Sequence, residues 1–139
     1  MRMPATRNST TTPLVAKILV VEDHEPTREA VSLMLRAAFP ACELLGAESA
    51  ENALPLCKAE MPHLVVMDIA LPGMNGLEAT RRIRAMHPEC RVVIHSSNDM
   101  PIYREESEAA GAVAFVCKGR TSRDLVQIAA RYLPAGADQ

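Results

Sequence analysis

The stretch LVVMDIALPGMNG, residues 64–76, decides the fold of this chain. Its first four residues form an unbroken apolar run, which is typical of a strand buried on both faces of a parallel sheet. The run ends on the carboxylate Asp68, and Pro72 and Gly76 follow in a segment that predicts a loop. A buried strand that ends on an acid in this way places the acid at one edge of a sheet.

A second apolar run, ILVV at residues 18–21, also ends on acids, Glu22 and Asp23. Neighbouring parallel strands end at the same edge of their sheet, so these two carboxylates and Asp68 are expected to lie close together. Like charges packed this closely repel, and such a site needs a cation or a proton to be stable. A divalent metal with oxygen ligands is the usual solution, so the sequence predicts a metal site here.

Short apolar runs alternate with segments of helical periodicity along most of the chain. The predicted strands are 17–21, 42–47, 64–67, 91–95 and 112–116, and the predicted helices are about 26–38, 50–59, 76–87, 99–110 and 121–133. Strands joined by helices run parallel through right-handed crossovers. Five such units predict an α/β fold, a doubly wound open parallel sheet with strand order 2-1-3-4-5. The three acids then lie where the strand order reverses, which is where such sheets bind ligands.

Three of the predicted helices begin near residues that commonly cap helices. These candidate caps are Ser49 for the second helix, Asn98 or Asp99 for the fourth, and Thr121 or Ser122 for the fifth. Pro55 falls inside the second helix and removes a backbone donor, so we expect a kink or a delayed start there. His95 occupies a strand position where an apolar side chain is expected, and it needs a buried hydrogen-bond partner that the sequence does not identify.

Composition indicates one globular domain and argues against nucleic-acid binding. The 139 residues are 48% hydrophobic, which is enough for a single domain with a substantial core. The net charge of -2 and the 3% of aromatic residues offer nucleic acid neither a basic surface nor stacking platforms. We expect residues 1–16 to form a mobile tail, 17–133 the folded domain, and 134–139 a second tail or the start of a linker.

The expected location of the protein is the cytoplasm. The four cysteines are scattered without metal-ligand or disulfide spacing, which indicates isolated thiols in a reducing compartment. Residues 1–12 contain Arg2 and Arg7 but no apolar segment typical of a signal peptide. No stretch approaches the length of a membrane span, so no membrane partner is expected.

Four motifs, in order along the chain, carry a resemblance to a known family. They are ILVVED at 18–23, VVMDIALPGMNG at 65–76, VVIHSS at 92–97 and GAVAFVCK at 111–118. Together with the alternation of strands and helices between them, they resemble the receiver domain of two-component response regulators over about residues 17–133. The resemblance implies a flavodoxin-like (βα)5 fold and a phosphorylation-dependent signalling switch, not an enzyme.

The resemblance implies a role for each residue of the acidic cluster. Asp68 matches the aspartate that accepts a phosphoryl group, Asp23 matches a metal-binding acid, and Glu22 matches the other member of the acidic pair. The backbone carbonyl of Ala70 is expected to complete a site for Mg²⁺, which is the implied cofactor. Mg²⁺ takes few protein ligands and keeps several waters, which suits two carboxylates and one carbonyl at the rim of a sheet.

Three further residues match the family's phosphoryl-binding and switching positions. Lys118 matches the lysine after the fifth strand, and Ser96, with Ser97 as a rival, matches the hydroxyl at the end of the fourth. Phe115 matches the aromatic switch position. The chain departs from the family where Gly119 follows the lysine, because many receivers have proline there, and a cis peptide is therefore not expected.

The resemblance also implies the partners of this chain. The phosphoryl donor would be a histidine kinase or a phosphotransfer protein. Output is expected through the face formed by the fourth helix, the fifth strand and the fifth helix, which would contact an output protein or a second copy of the chain. No direct contact with nucleic acid is expected from this domain.

Three other functions remain open at the level of sequence. A small phosphatase that uses an aspartyl phosphate, of the haloacid-dehalogenase type, needs a second acid two residues after its nucleophile, where this chain has Ala70. A nucleotide- or flavin-binding module needs a glycine-rich loop after the first strand, where residues 22–25 read EDHE. The third alternative is a receiver that switches without phosphorylation, although all the acidic residues of the pocket are present.

Overall fold

A computed structural model describes residues 15–135. It contains five strands, β1 Lys17–Val21, β2 Glu43–Ala47, β3 Leu64–Met67, β4 Arg91–Ser96 and β5 Ala114–Cys117. It contains five α-helices, α1 Glu25–Ala38, α2 Ala50–Glu60, α3 Gly76–Met86, α4 Pro101–Ala110 and α5 Thr121–Tyr132, and a 3₁₀ turn at Lys118–Arg120 before α5. Most of the predicted N-terminal tail, 1–14, and the end of the predicted C-terminal tail, 136–139, lie outside the described residues.

The sheet is parallel throughout, with the order β2-β1-β3-β4-β5, so the predicted α/β fold and strand order are confirmed. The register pairs Val21 of β1 with Met67 of β3. Backbone hydrogen bonding continues one residue beyond both strands, since Asp68 donates to the carbonyl of Val21 and Glu22 donates to the carbonyl of Ala47. The first acid after each strand is therefore held by the sheet itself.

The pleat of the strands divides the apolar core into two layers, one on each face of the sheet. Alternate residues of the central strands, such as Ile18 and Val66, pack with α1 and α5 in one layer. Their neighbours, such as Leu19 and Val65, pack with α2 and α3 in the other. A fully buried aliphatic side chain contributes roughly 1.5 to 3 kcal/mol to stability, so these two layers fix the sheet on which the acids stand.

The second helix begins where the sequence predicts, and its internal proline does not delay it. The Ser49 side chain accepts a hydrogen bond from the backbone of Asn52, which confirms Ser49 as the cap, and α2 then runs without interruption past Pro55. The carbonyl that loses its partner belongs to Glu51. Both Glu51 and Pro55 are exposed, so water can compensate for the lost hydrogen bond.

The predicted side-chain caps of the fourth and fifth helices are wrong. Helix α4 begins at Pro101 after Met100, because proline suits a first helical position where no backbone donor is needed. Asn98 instead accepts a hydrogen bond from the backbone of Met100. Helix α5 follows the 3₁₀ turn directly, its N-cap is Arg120, and the hydroxyl of Thr121 donates back to the carbonyl of Lys118.

The first residue of α3, Gly76, lies against the backbone of Asp68. A Cβ atom at this position would come within 1.9 Å of the Asp68 carbonyl oxygen, whereas a Cβ atom at Gly119 would meet nothing within 4 Å. We expect Gly76→Ala to lower the free energy of unfolding by at least about 2 kcal/mol through overpacking. The matched control Gly119→Ala should change it by less than about 0.5 kcal/mol. Urea unfolding of both variants tests this, and equal stabilities would contradict it.

Candidate functional site

Three carboxylates meet at the point where the strand order reverses. Glu22 and Asp23 follow β1 and Asp68 follows β3, and one oxygen from each lies within 4.8 Å of the others. Glu22 and Asp68 are only 2% and 4% exposed, whereas Asp23 is exposed. The structure therefore brings together the three acids that the sequence predicts at this edge of the sheet.

A lysine already occupies one side of this cluster. The Lys118 ammonium nitrogen lies 2.8 Å from Glu22 Oε1 and 3.2 Å from Asp68 Oδ2. Burial alone would lower the pKa of Lys118, but its contacts with the two carboxylates raise it above the ordinary value. The ammonium group thus stays charged and offsets part of the repulsion between the two buried acids.

The two buried acids respond in opposite ways to this environment. Burial raises the pKa of Glu22, but the Lys118 ammonium beside it and the hydrogen bond from the backbone of His24 outweigh burial, so the pKa falls below its ordinary value. Burial also raises the pKa of Asp68, Glu22 adds to the increase, and the attraction of Lys118 does not cancel it. The folded protein therefore favours the ionised form of Glu22, whereas the ionised form of Asp68 lowers its stability.

Backbone and helix contacts hold the segment that carries Glu22. Its Oε2 accepts from the backbone N–H of His24 at 3.1 Å, and its carbonyl accepts from the guanidinium of Arg28 on α1 at 2.7 Å. Asp23 follows on the exposed side. The arrangement fixes one acid of the pair and leaves the other open to solvent and to a ligand.

The loop after Asp68 is attached to the acid and to a neighbouring helix. The backbone N–H of Ala70, the residue whose carbonyl is expected to bind a metal, donates to Asp68 Oδ1 at 3.3 Å. Further along, the N–H of Met74 donates to Glu51 on α2 at 2.9 Å. The loop is thereby held at both ends, close to the acidic cluster.

The two candidate serines differ in their surroundings. Ser96 ends β4 and is 4% exposed, whereas Ser97 is exposed. The Ser96 hydroxyl accepts from the backbone N–H of Asn98 at 3.1 Å and lies 3.4 Å from the Asn98 carbonyl. In this conformation Ser96 is bonded within its own loop and not to Asp68.

The aromatic candidate, Phe115, lies half-buried on β5. The guanidinium carbon of Arg104, on α4, lies 4.5 Å from the centroid of its ring. Such cation–π contacts contribute about 0.5 to 1 kcal/mol at exposed sites. This contact joins the ring on β5 to α4, and it is weak enough for another contact of the ring to replace it.

Two contacts escape the sequence analysis. One is the ion pair of Lys118 with Glu22, since a lysine after β5 and an acid after β1 are too far apart in sequence for a local signal. The other is the partner of His95, whose Nε2 lies 2.6 Å from Thr121 Oγ1. A polar residue inside an apolar strand was the one available signal, and it identified the histidine but not the hydroxyl.

The donor set of the acidic cluster fits a hard cation. All three groups supply oxygen, which Mg²⁺ prefers, and the exposure of Asp23 leaves room for the waters that this ion retains. Within residues 15–135, no helix combines the length and apolar character that a membrane crossing requires.

The fold and the acidic cluster together define the class of receiver domains. The family model of the response regulator receiver domain matches residues 18–130, and the chain belongs to this family. The resemblance to receiver domains that the four motifs indicate is thereby confirmed.

Relatives and solved structures agree with this assignment. The chain is 35% identical over 121 residues to the response regulator GacA of Pseudomonas protegens and 30% identical over 122 residues to BvgA of Bordetella pertussis. These matches cover 86% of this chain and 56% of each relative, so the chain spans about half the length of the curated relatives it matches.

Two solved structures show the same architecture. A LuxR-family response regulator from Aurantimonas sp. is 32% identical with a TM-score of 0.78, and the match covers 86% of each chain. The beryllofluoride-activated receiver domain of DrrB is 26% identical with a TM-score of 0.78, over 86% of this chain and 97% of that one.

The opposite pKa shifts of the two buried acids predict opposite effects on stability. At neutral pH without metal, Glu22→Gln should lower the free energy of unfolding by roughly 1 to 3 kcal/mol, because it removes a stable anion that pairs with Lys118. Asp68→Asn should raise it by roughly 1 kcal/mol, because it removes an anion that burial disfavours.

The pH dependence of the stability of Asp68→Asn tests the direction of this pKa shift. Because the pKa of Asp68 is higher in the folded chain than in the unfolded chain, its ionised form costs stability at neutral pH, and that cost disappears on acidification. The gain in Asp68→Asn should therefore shrink as the pH is lowered in urea-unfolding experiments. Shifts of the same sign in both variants would contradict the assignment.

Proposed function

We propose that this chain is a signalling switch that accepts a phosphoryl group on Asp68 with the help of Mg²⁺. The observation that carries the proposal is the position of Lys118 Nζ, within 3.2 Å of Asp68 and 2.8 Å of Glu22, beside three carboxylates whose oxygens converge within 4.8 Å. A nucleophile, an acidic metal-binding set and a cation for phosphoryl oxygens thus share one site. Phosphoryl transfer depends mainly on such positioning and charge compensation.

Glu22, Asp23, Asp68 and the carbonyl of Ala70 are the proposed metal-binding set. When bound, Mg²⁺ supplies positive charge that reduces the repulsion between a carboxylate and the oxygens of an incoming phosphoryl group. Asp23 is the residue best placed to act only on the metal, since it is exposed, whereas Glu22 is already paired with Lys118.

The chain's own residues would carry out the transfer in one step. An Asp68 carboxylate oxygen attacks the phosphorus, the bond from phosphorus to the donor nitrogen breaks, and the product is an acyl phosphate. The ammonium of Lys118, now 3.2 Å from Asp68 Oδ2, is within reach of an oxygen of the transferred group. A histidine kinase or phosphotransfer protein is the proposed donor.

We propose that the change spreads through Ser96 and Phe115. Phosphorylation would give the Ser96 hydroxyl a charged acceptor stronger than its present acceptor, the Asn98 carbonyl oxygen at 3.4 Å. The space left behind it would let the Phe115 ring turn inward from its contact with Arg104. The α4-β5-α5 face would change shape, and an output protein or a second copy that prefers the new shape would read it.

The proposal includes the setting of this domain. We propose residues 17–133 as the receiver, preceded by a tail at 1–16 and followed at 134–139 by a second tail or the start of a linker, with no direct nucleic-acid contact and no membrane partner. Cys57, Cys90 and Cys117 are free thiols, which supports a cytoplasmic location. The chain is proposed to be a substrate of phosphotransfer rather than an enzyme, since Ala70 stands where the phosphatase alternative needs an acid.

The phosphorylation proposal predicts a covalent mass gain that depends on one residue. Incubation with Mg²⁺ and acetyl phosphate should add one phosphoryl group to the wild type and none to Asp68→Asn, as measured by intact mass. The control Asp124→Asn, which removes an acid on α5 paired with Arg120, should keep the gain. An undiminished gain in Asp68→Asn would refute the assignment. Catalytic turnover of p-nitrophenyl phosphate would favour the phosphatase alternative.

The metal proposal predicts a stability increase that depends on Asp23. A ligand that binds only the folded state stabilises it, by about 2.7 kcal/mol at one hundred times its dissociation constant. We therefore expect saturating Mg²⁺, compared with chelator at equal ionic strength, to raise the free energy of unfolding of the wild type and of Asp124→Asn. Asp23→Asn should need at least about tenfold more Mg²⁺ for the same increase. An unchanged requirement would exclude Asp23 as a ligand.

A further inference from the structure

We propose that His95 and Thr121 are positioning residues that hold Lys118 against the acidic cluster through a directed chain of two hydrogen bonds. The first link joins His95 Nε2 to Thr121 Oγ1 at 2.6 Å, and the second joins Thr121 Oγ1 to the Lys118 carbonyl at 2.8 Å. The chain thus connects the end of β4 to the turn that carries the lysine. This inference rests on the proposed function only for the role it assigns to Lys118 in phosphorylation.

The donor and the acceptor in each of these two hydrogen bonds follow from the number of protons available. A hydroxyl has one proton to donate, and a carbonyl oxygen has none. Thr121 therefore donates its proton to the Lys118 carbonyl, and it must accept from His95. The geometry thus assigns His95 the tautomer with its proton on Nε2.

The environment keeps this imidazole neutral. His95 is 3% exposed, and burial, with a smaller contribution from the positive charge of Lys118, lowers its pKa to about 4. A neutral ring has one donor nitrogen, so its orientation is fixed by the bond it makes to Thr121. The polar residue that is unexpected in an apolar strand is thereby given a specific partner.

The turn that carries Lys118 needs such a contact, because packing does little to hold it. Lys118, Gly119 and Thr121 line an open cleft of about 530 Å³ between α1 and α5. A Cβ atom at Gly119 would meet no atom within 4 Å apart from those of its chain neighbours. Without the chain of hydrogen bonds, the turn would gain alternative conformations in which Lys118 no longer bridges Glu22 and Asp68.

Matched variants separate the hydrogen bonds from side-chain volume. Thr121→Val keeps the shape and removes both links, whereas Thr121→Ser keeps both. His95→Met removes the donor, whereas His95→Gln places an amide donor close to the position of Nε2. If the two hydrogen bonds position Lys118, Thr121→Val and His95→Met should be phosphorylated more slowly than the wild type. Thr121→Ser and His95→Gln should behave as the wild type does.

The first readout needs no phosphorylation. In the full-length chain without metal, ¹⁵N NMR of the wild-type imidazole should show the Nε2–H tautomer. The ¹H–¹⁵N heteronuclear NOE of Gly119 should fall in Thr121→Val and stay at the wild-type value in Thr121→Ser, because only the first variant frees the turn that carries Lys118. An Nδ1–H tautomer in the wild type would overturn the proposal even if every variant failed to fold.

The second readout is the rate of phosphorylation by acetyl phosphate with Mg²⁺. Thr121→Val and His95→Met should be slowed by roughly tenfold to a hundredfold, the range expected when a reacting group is displaced by about 1 Å. The conservative variants should react within about twofold of the wild type. A wild-type rate in both Thr121→Val and His95→Met would overturn the positioning role. If no form of the protein were phosphorylated, the proposed function would fail while the NMR result still decided this inference.

Discussion

The repulsion between two buried carboxylates, Glu22 and Asp68, is the constraint on which the site depends. Both sit on backbone that the sheet holds in place, so neither can move away from the other. Lys118, which is distant in sequence and lies on a turn after the last strand, reduces this repulsion by pairing with both carboxylates. The positions of β1, β3 and β5 are therefore coupled by electrostatics as well as by the sheet, and a displacement of any of the three exposes an uncompensated charge.

The two carboxylates that pair with the Lys118 ammonium group have pKa shifts of opposite direction. Hydrogen bonds lower the pKa of Glu22, while burial keeps that of Asp68 raised. A residue that is stable as an anion suits a structural role, and one that is costly as an anion suits a reactive role. Two acids of similar chemistry are thus given different pKa shifts by the balance between burial and the contacts around each of them. The raised pKa of Asp68 agrees with the reactive role proposed for it.

Sequence reasoning succeeded where the signal was local. The five strands and the Ser49 cap follow from apolar runs and turn residues, because each depends on neighbours along the chain. The parallel direction of the strands follows from the helices that connect them. The acidic cluster followed too, since strand ends converge at one edge. The caps of α4 and α5 failed because proline and a 3₁₀ turn set those starts. The partner of His95 lay 26 residues away, and a non-local contact leaves no local trace.

The pleat at the end of β4 places two adjacent polar residues in different parts of the protein. His95 borders the cleft between α1 and α5, while the preceding residue, Ile94, packs into the layer formed with α2 and α3. Ser96 follows the alternation onto the side of Ile94. His95 and Ser96 therefore face opposite layers of the molecule, and a substitution at one of them can change its own layer while leaving the other layer intact. A single inserted residue in this strand, by contrast, would exchange the two surfaces at once.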